Sequence, residues 1–307
     1  MPDTGDVTAM KVEPGRPRSK RDGSRRFTPY EVTFDTRAMM LTTVIEDDWD
    51  EAVKEQWRSN QNRLREAVIY EHGVDDFEQK IQNFGDVGTA PWSVVALHNE
   101  FLRQVRQAFV SMHYYPALLG ACGLGERILN QLVLTLRNDY SEHEATKKVG
   151  GKQSFDNWTV CIRTLEAWGV FDAETAATYK NLMKRRHGAV HYRTELDGSD
   201  ARKRALEAVT LVGELIGRIF TPHVDDSIYF TGPIGRSFVR LQAENVPFVR
   251  RFILPSCVLV SPAYRYVSNG LNLDVYDDPE YGVGEPPLSD EEFADPGRAT
   301  PQVPYPF

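Results

Sequence analysis

The chain has 307 residues, of which 41% are hydrophobic and 11% aromatic, so it can bury a sizeable core and is not disordered as a whole. Its net charge of -8 does not exclude a nucleic-acid partner, because the segment from Asp274 onward carries nine acidic side chains against Arg298 alone. No signal-peptide core and no run of ~20 apolar residues is present. We therefore expect a cytoplasmic protein with no membrane partner.

The N-terminal part of the chain combines a polar arm with two helices. Residues 1–26 are rich in proline, glycine and basic side chains and have little to bury, which predicts a disordered basic arm. Residues 27–95 are predicted to form an N-terminal helical extension. Apolar positions recur near every 3.6 residues and indicate one helix from about Asp48 to Tyr70 and a shorter one that carries Phe77 and Phe84.

The stretch 96–222 is predicted to be a bundle of antiparallel helices joined by short connections. Its first helix carries Phe101 and Met112 and must end or kink before Pro116, because proline supplies no backbone donor. An apolar stripe then continues from Leu118 to about Arg137 and indicates the second helix.

Capping residues mark the helices in the second half of this bundle. Ser154 is expected to cap the helix that Gly169 ends. Asp172 is expected to open the next helix, and Ser199 or Asp200 the last one, which ends at the following proline.

The C-terminal part of the chain loses the helical periodicity of the preceding stretch. β-Branched and aromatic runs from Phe248 to Leu254 and from Cys257 to Val260 predict one small antiparallel strand pair within an extension, 223–273, packed on the bundle. Residues 274–307 are acidic and rich in proline, which predicts a disordered tail. The predicted fold class is therefore mainly α: a helical bundle with a small C-terminal strand pair and disordered termini.

One arginine on the helix opened by Asp172 requires a partner. Arg186 lies on the same helix face as apolar and aromatic side chains, and a guanidinium cannot lose its charge by deprotonation. Glu126 lies on an otherwise apolar stripe of an earlier helix and is the expected partner. Gly188 is expected to interrupt the helix and to let His191 lie beside Arg186.

An arginine and a histidine held together suit phosphodiester transesterification without a metal. The imidazole takes the proton from a ribose 2′-hydroxyl, and the guanidinium stabilises the charge on the phosphate oxygens. Lys184, Arg185 and Arg193 surround the pair and would attract an RNA backbone. Tyr192 is the nearest ring on which a base could stack.

The segments 165–172 and 179–193 resemble the second half of a HEPN domain. That family is marked by an arginine, often followed by a polar residue, and a histidine a few positions later. Arg186, His187 and His191 fit this pattern, with four residues between the arginine and the second histidine.

The resemblance extends loosely over 99–220 and includes an acidic residue that Glu126 matches. It implies a homodimer in which two such motifs meet to form one endoribonuclease site, with Arg186, His187, His191 and Glu126 as its catalytic residues. Related proteins belong to toxin–antitoxin, antiphage and RNA-processing systems, so an antitoxin or other regulatory protein is an expected partner besides RNA.

Three alternatives to a nuclease are open. Arg186 and Glu126 could form a structural ion pair. The bundle could be a non-catalytic adaptor that binds nucleotide, RNA or a partner protein through the same groove. His187 and His191, four residues apart, could bind zinc, but no neighbouring Cys, Asp or Glu completes a tetrahedral set. We therefore expect no cofactor, and free thiols at the three separated cysteines.

Overall fold

The computed structural model describes residues 10–20, 22–30, 32–155, 157–190, 200–222, 225–232, 235–269, 272–282 and 285–295. The chain divides into two compact units. The helical unit is Thr33–Thr221, and the strand unit combines Met1–Val32 with Pro222–Phe307. The protein is mainly helical with small antiparallel strand pairs, as the sequence predicts.

The helices of the described residues are α1 Arg37–Thr42, α2 Glu51–His72, α3 Phe77–Asp86, α4 Ala96–Val110, α5 Tyr114–Leu136, α6 Trp158–Ala167, α7 Ala173–Val190, α8 Ala201–Phe220 and α9 Asp290–Phe293. The strands are β1 Met10–Lys11, β2 Arg26–Pro29, β3 Thr33–Asp35, β4 Ala90–Ser93, β5 Tyr229–Thr231, β6 Ser237–Val239, β7 Cys257–Val260, β8 Arg265–Asn269 and β9 Asn272–Asp277.

Helix α5 lies at the centre of the helical unit, where α4, α6, α7 and α8 all pack against it. Its buried residues recur every three or four positions along the whole helix, from Ala117 to Leu136. The preceding helix α4 ends at Val110, and Pro116 lies in the first turn of α5, where no intrahelical donor is needed. The predicted helix end before Pro116 is confirmed.

The predicted caps of α7 and α8 are confirmed. Asp172 accepts a hydrogen bond from the backbone N–H of Thr175 at 2.7 Å, and Asp200 accepts one from Lys203 at 3.0 Å. Gly169 adopts φ +71° directly after α6, the left-handed conformation that ends a helix.

The predicted cap at Ser154 is wrong, because α6 begins later, at Trp158, with Asn157 as its cap. The reason is a tertiary contact from α5. The side chain of Asn130 accepts from the backbone N–H of Phe155 at 2.7 Å and donates to its carbonyl oxygen at 3.1 Å. Both backbone groups of Phe155 are therefore bonded to α5 rather than to a helical turn.

The predicted boundary between an extension, 27–95, and the bundle is wrong. Helices α2 and α3 and the β3–β4 pair belong to the same compact unit as the bundle. Strand β4 packs against α8, and the Asn83 side chain donates to the carbonyl oxygen of Phe109 at 3.2 Å. Only the first few residues of the proposed extension belong to the strand unit.

The strand unit contains more pairing than the single strand pair that the sequence predicts. Strand β2 pairs with β7, β5 with β6, and β9 lies between β1 and β8. Cys257–Val260 is a strand as predicted, but the strand predicted over Phe248 to Leu254 is wrong. That run forms helical turns, in which Phe248 stacks on Phe252 with ring centroids 5.5 Å apart.

The predicted disorder of residues 1–26 and 274–307 is wrong for the described parts of both segments. Arg25 and Arg26 are buried, and their Nε atoms lie 3.2 Å from a carboxylate oxygen of Asp277 and 2.9 Å from one of Asp290, respectively. Basic residues of one end thus neutralise acidic residues of the other, and the two polar segments fold together.

None of the helices in the described ranges combines the length and the apolar composition that crossing a bilayer requires. The three cysteines are free and buried, as expected.

The close packing of α5 allows a matched stability test. A Cβ atom at Gly125 would lie 2.5 Å from Leu182 Cδ2 and 3.2 Å from Trp158 Cη2, whereas one at Gly123 would meet nothing within 4 Å. We expect Gly125→Ala to lower the free energy of unfolding by about 1–3 kcal/mol through overpacking. Gly123→Ala should raise it by about 0.5–1 kcal/mol, since alanine favours the helix. Urea unfolding of both variants measures the difference, and equal effects would contradict this packing.

Candidate functional site

Glu126 and Arg186 form the ion pair that the sequence predicts. Glu126 projects from α5 and Arg186 from α7, and Arg186 Nε lies 2.9 Å from Glu126 Oε2. Their side chains are 31% and 24% exposed, so the pair lies at the edge of the core and reaches water. A carboxylate on the buried helix thus fixes one guanidinium of α7.

Trp158 on α6 is a third member of this cluster, and it was not among the predicted site residues. Its indole N–H donates to Glu126 Oε2 at 3.1 Å, and the guanidinium carbon of Arg186 lies 5.8 Å from its ring centroid. A buried indole N–H needs an acceptor. That need, together with the lone carboxylate of Glu126, is the sequence signal that could have identified the contact.

The floor beneath the ion pair is apolar. Cys122 lies one turn before Glu126, and burial raises the pKa of its thiol to about 11, although the charge of Arg186 acts in the opposite direction. Tyr179 is fully buried, which raises the pKa of its phenol well above the usual value, and it stacks on Phe171 at 5.1 Å. Both groups are neutral near pH 7. The charges of this region therefore belong to the ion pair of Glu126 and Arg186, which lies next to side chains of low polarity.

The helix break expected at Gly188 is wrong, because α7 continues to Val190. Helix α8 supports this last turn: Arg204 Nη2 donates to the carbonyl oxygen of Gly188 at 2.8 Å, and Ala189 is buried. The remaining predicted site residues, His191, Tyr192 and Arg193, lie outside the described residues.

The basic residues predicted to bind RNA flank Arg186 on α7. Lys184, Arg185 and His187 are exposed. Arg185 Nη2 lies 3.1 Å from Glu207 Oε2 on α8, so part of its charge is compensated within the protein. The structure thus brings Glu126, Arg186 and Trp158 together and places the other basic side chains on the solvent side of α7.

Within the described ranges, no three His, Cys, Asp or Glu side chains are grouped in a way that could hold a metal ion. The cluster of Glu126, Trp158 and Arg186 can instead bind an anion: the carboxylate and the indole ring orient a guanidinium that keeps contact with water.

No protein-family model, curated protein or solved structure matches this chain.

A double-mutant cycle tests the predicted anchor. We expect Glu126→Gln and Arg186→Gln to be coupled by about 1 kcal/mol in the free energy of unfolding, because the pair is partly shielded from water. The matched control is the exposed pair of Glu55 and Arg58, whose charged atoms are 3.6 Å apart, and it should show a smaller coupling. Urea denaturation of each single and double variant gives both couplings, and similar values would show that Glu126 does not hold Arg186.

Proposed function

We propose that the protein is a metal-independent endoribonuclease of the HEPN type. In the proposed reaction the 2′-oxygen of a ribose attacks the adjacent phosphorus, and the 5′-oxygen of the next nucleotide leaves. The products are a 2′,3′-cyclic phosphate and a 5′-hydroxyl end. No metal or organic cofactor takes part.

The observation that carries the proposal is the orientation of Arg186. Glu126 binds its Nε edge, and Trp158 lies beside its guanidinium plane, while the side chain keeps 24% of its surface exposed. A guanidinium held in place before the phosphate arrives pays little reorganisation cost when charge grows on the phosphate oxygens. Arg186 thus has the anchoring that a charge-stabilising residue requires.

The proton transfers are assigned to histidines of the same motif. His191 follows Arg186 by five positions and is proposed to accept the proton of the 2′-hydroxyl. His187, exposed on α7, is proposed as the second acid–base group, which protonates the leaving oxygen. By its resemblance to the HEPN family, the protein is proposed to act as a homodimer in which two motifs share one site.

Substrate attraction is assigned to the basic side chains around the motif. Lys184, Arg185 and Arg193 would contact RNA phosphates, and Tyr192 would stack on a base. A role as a toxin or antiphage effector, controlled by an antitoxin or other regulatory protein, belongs to the same proposal.

Cleavage assays test the proposal directly. The purified protein should cut single-stranded RNA in the presence of EDTA and leave 2′,3′-cyclic phosphate ends. Arg186→Ala and His191→Ala should each lower the rate by about 100-fold or more, whereas Arg58→Ala, an exposed arginine of α2, should leave it unchanged. Unchanged cutting in the Arg186 and His191 variants would reject the assignment.

A second candidate function is a non-catalytic adaptor that binds RNA, nucleotide or a partner protein. The observation in its favour is that the guanidiniums of Arg186 and Arg185 are both paired with carboxylates of the same unit, Glu126 and Glu207. Ion pairs of this kind can hold helices together without taking part in a reaction.

The adaptor predicts RNA binding without cleavage at any protein concentration. Lys184→Glu should weaken binding in a filter or anisotropy assay, because it reverses an exposed charge on α7. Lys148→Glu, an equal charge change in the short 3-10 helix Glu144–Lys148, is the matched control. Equal binding by the two variants would contradict an adaptor surface on α7.

A further inference from the structure

The helical unit contains a cavity of about 550 Å³ that the proposed nuclease site does not use. Its walls are formed by strands β3 and β4, helix α1, the ends of α2 and α3, and one face of α4. We call it the α4 pocket; its lining includes Phe34, Asp35, Arg37, Glu71, Asn99 and Arg106. Its volume lies within the range of small-molecule sites in proteins.

The charged groups of the α4 pocket compensate one another. Arg37 donates to Asp35 through Nε at 3.1 Å and Nη2 at 2.9 Å, and its Nη1 donates to Glu71 at 3.0 Å. Arg106 donates to the carbonyl oxygen of Val87 at 3.1 Å, and the charge of Asp35 also attracts it. Burial lowers the pKa of Arg106 to about 10, so it remains protonated at neutral pH.

Arg103 and Glu100 also line the pocket and form an ion pair at 2.6 Å. Three guanidiniums thus face three carboxylates, and the formal charges cancel. A bound ion would bring an uncompensated charge into a partly desolvated cavity, which is costly. The pocket therefore favours an uncharged polar group over a phosphate or an ammonium group.

Hydrogen-bonding capacity remains for such a group. A guanidinium has five N–H donors, and the bonds of Arg37 to described residues leave one hydrogen on each Nη atom. The amide nitrogen of Asn99 donates to Ser93 at 3.0 Å, while its Oδ1 accepts no hydrogen bond from a described residue. The pocket thus offers both donors and acceptors.

An aromatic platform lies beside these groups. Phe34, which lines the pocket, stacks on Trp92 with ring centroids 4.0 Å apart and planes inclined by 5°. Both side chains are 45% exposed, which is unusual for large aromatic residues. Exposed rings of this kind provide faces on which a planar ligand stacks.

We propose that the α4 pocket binds a nucleobase, which stacks on Phe34 and exchanges hydrogen bonds with Arg37 and Asn99. A nucleobase is uncharged, planar and carries both donors and acceptors, so it matches each property of the pocket. The base belongs either to a free nucleoside or nucleotide or to a single-stranded RNA. The inference does not depend on cleavage at Arg186.

Calorimetric titration of the full chain with three probes tests the proposal. Adenosine represents the free base, a 2′-O-methyl oligoadenylate represents a strand that cannot be cleaved, and ribose 5-phosphate carries the charge without a base. Phe34→Ala should weaken base binding by about tenfold, and Phe34→Tyr should retain it because the ring remains. Tyr70→Ala, which removes a 95% exposed ring of α2, is the matched control and should change nothing.

Each outcome either supports or overturns nucleobase binding in the α4 pocket. Adenosine binding that depends on the ring at position 34 supports a free ligand. Binding of the oligoadenylate alone, with the same dependence, supports a base within RNA. Absence of binding by both probes, equal binding to Phe34→Ala, or equally tight binding of ribose 5-phosphate overturns the proposal. RNA cleavage by the same preparations is measured separately. A failure of the nucleobase proposal can then be distinguished from a failure of the endoribonuclease proposal.

Discussion

Helix α5 must present apolar side chains to four neighbouring helices and also accommodate one carboxylate, Glu126, at the edge of the core. The charge of Glu126 is satisfied from two directions, by the indole N–H of Trp158 on α6 and by Arg186 on α7. These contacts fix how α6 and α7 are rotated relative to α5. Gly125, the adjacent residue, lets Leu182 approach closely, so tight packing and the ion pair reinforce each other.

The parts that were predicted from the sequence depend on local chemistry or on an obvious electrostatic need. Asp172 and Asp200 cap their helices as predicted, because an N-cap requires only a side-chain oxygen a few residues before a free backbone N–H. The pairing of Glu126 with Arg186 was predictable because each was a charge on an apolar helix face. The assigned chemistry of His191 stays a prediction, since that residue lies outside the described part of the chain.

The parts that could not be predicted depend on partners distant in sequence. Gly188 remains helical because Arg204 on the next helix binds its carbonyl oxygen, and propensity alone favours a break there. Arg25 and Arg26 look like residues of a solvated arm until Asp277 and Asp290 are placed beside them. The α4 pocket could not be predicted for the same reason, since its lining comes from six separate elements.

The strand unit is built from both ends of the chain, with Arg26 in β2 opposite Val260 in β7. On the ribosome, β2 leaves the exit tunnel long before its partner has been made. With about 230 residues between them and synthesis at about 5–20 residues per second, the nascent strand waits about 10–50 s. During that interval its backbone is an unpaired edge, which is a template for aggregation. The chain order therefore leaves β2 without its partner strand while the whole helical unit is synthesised.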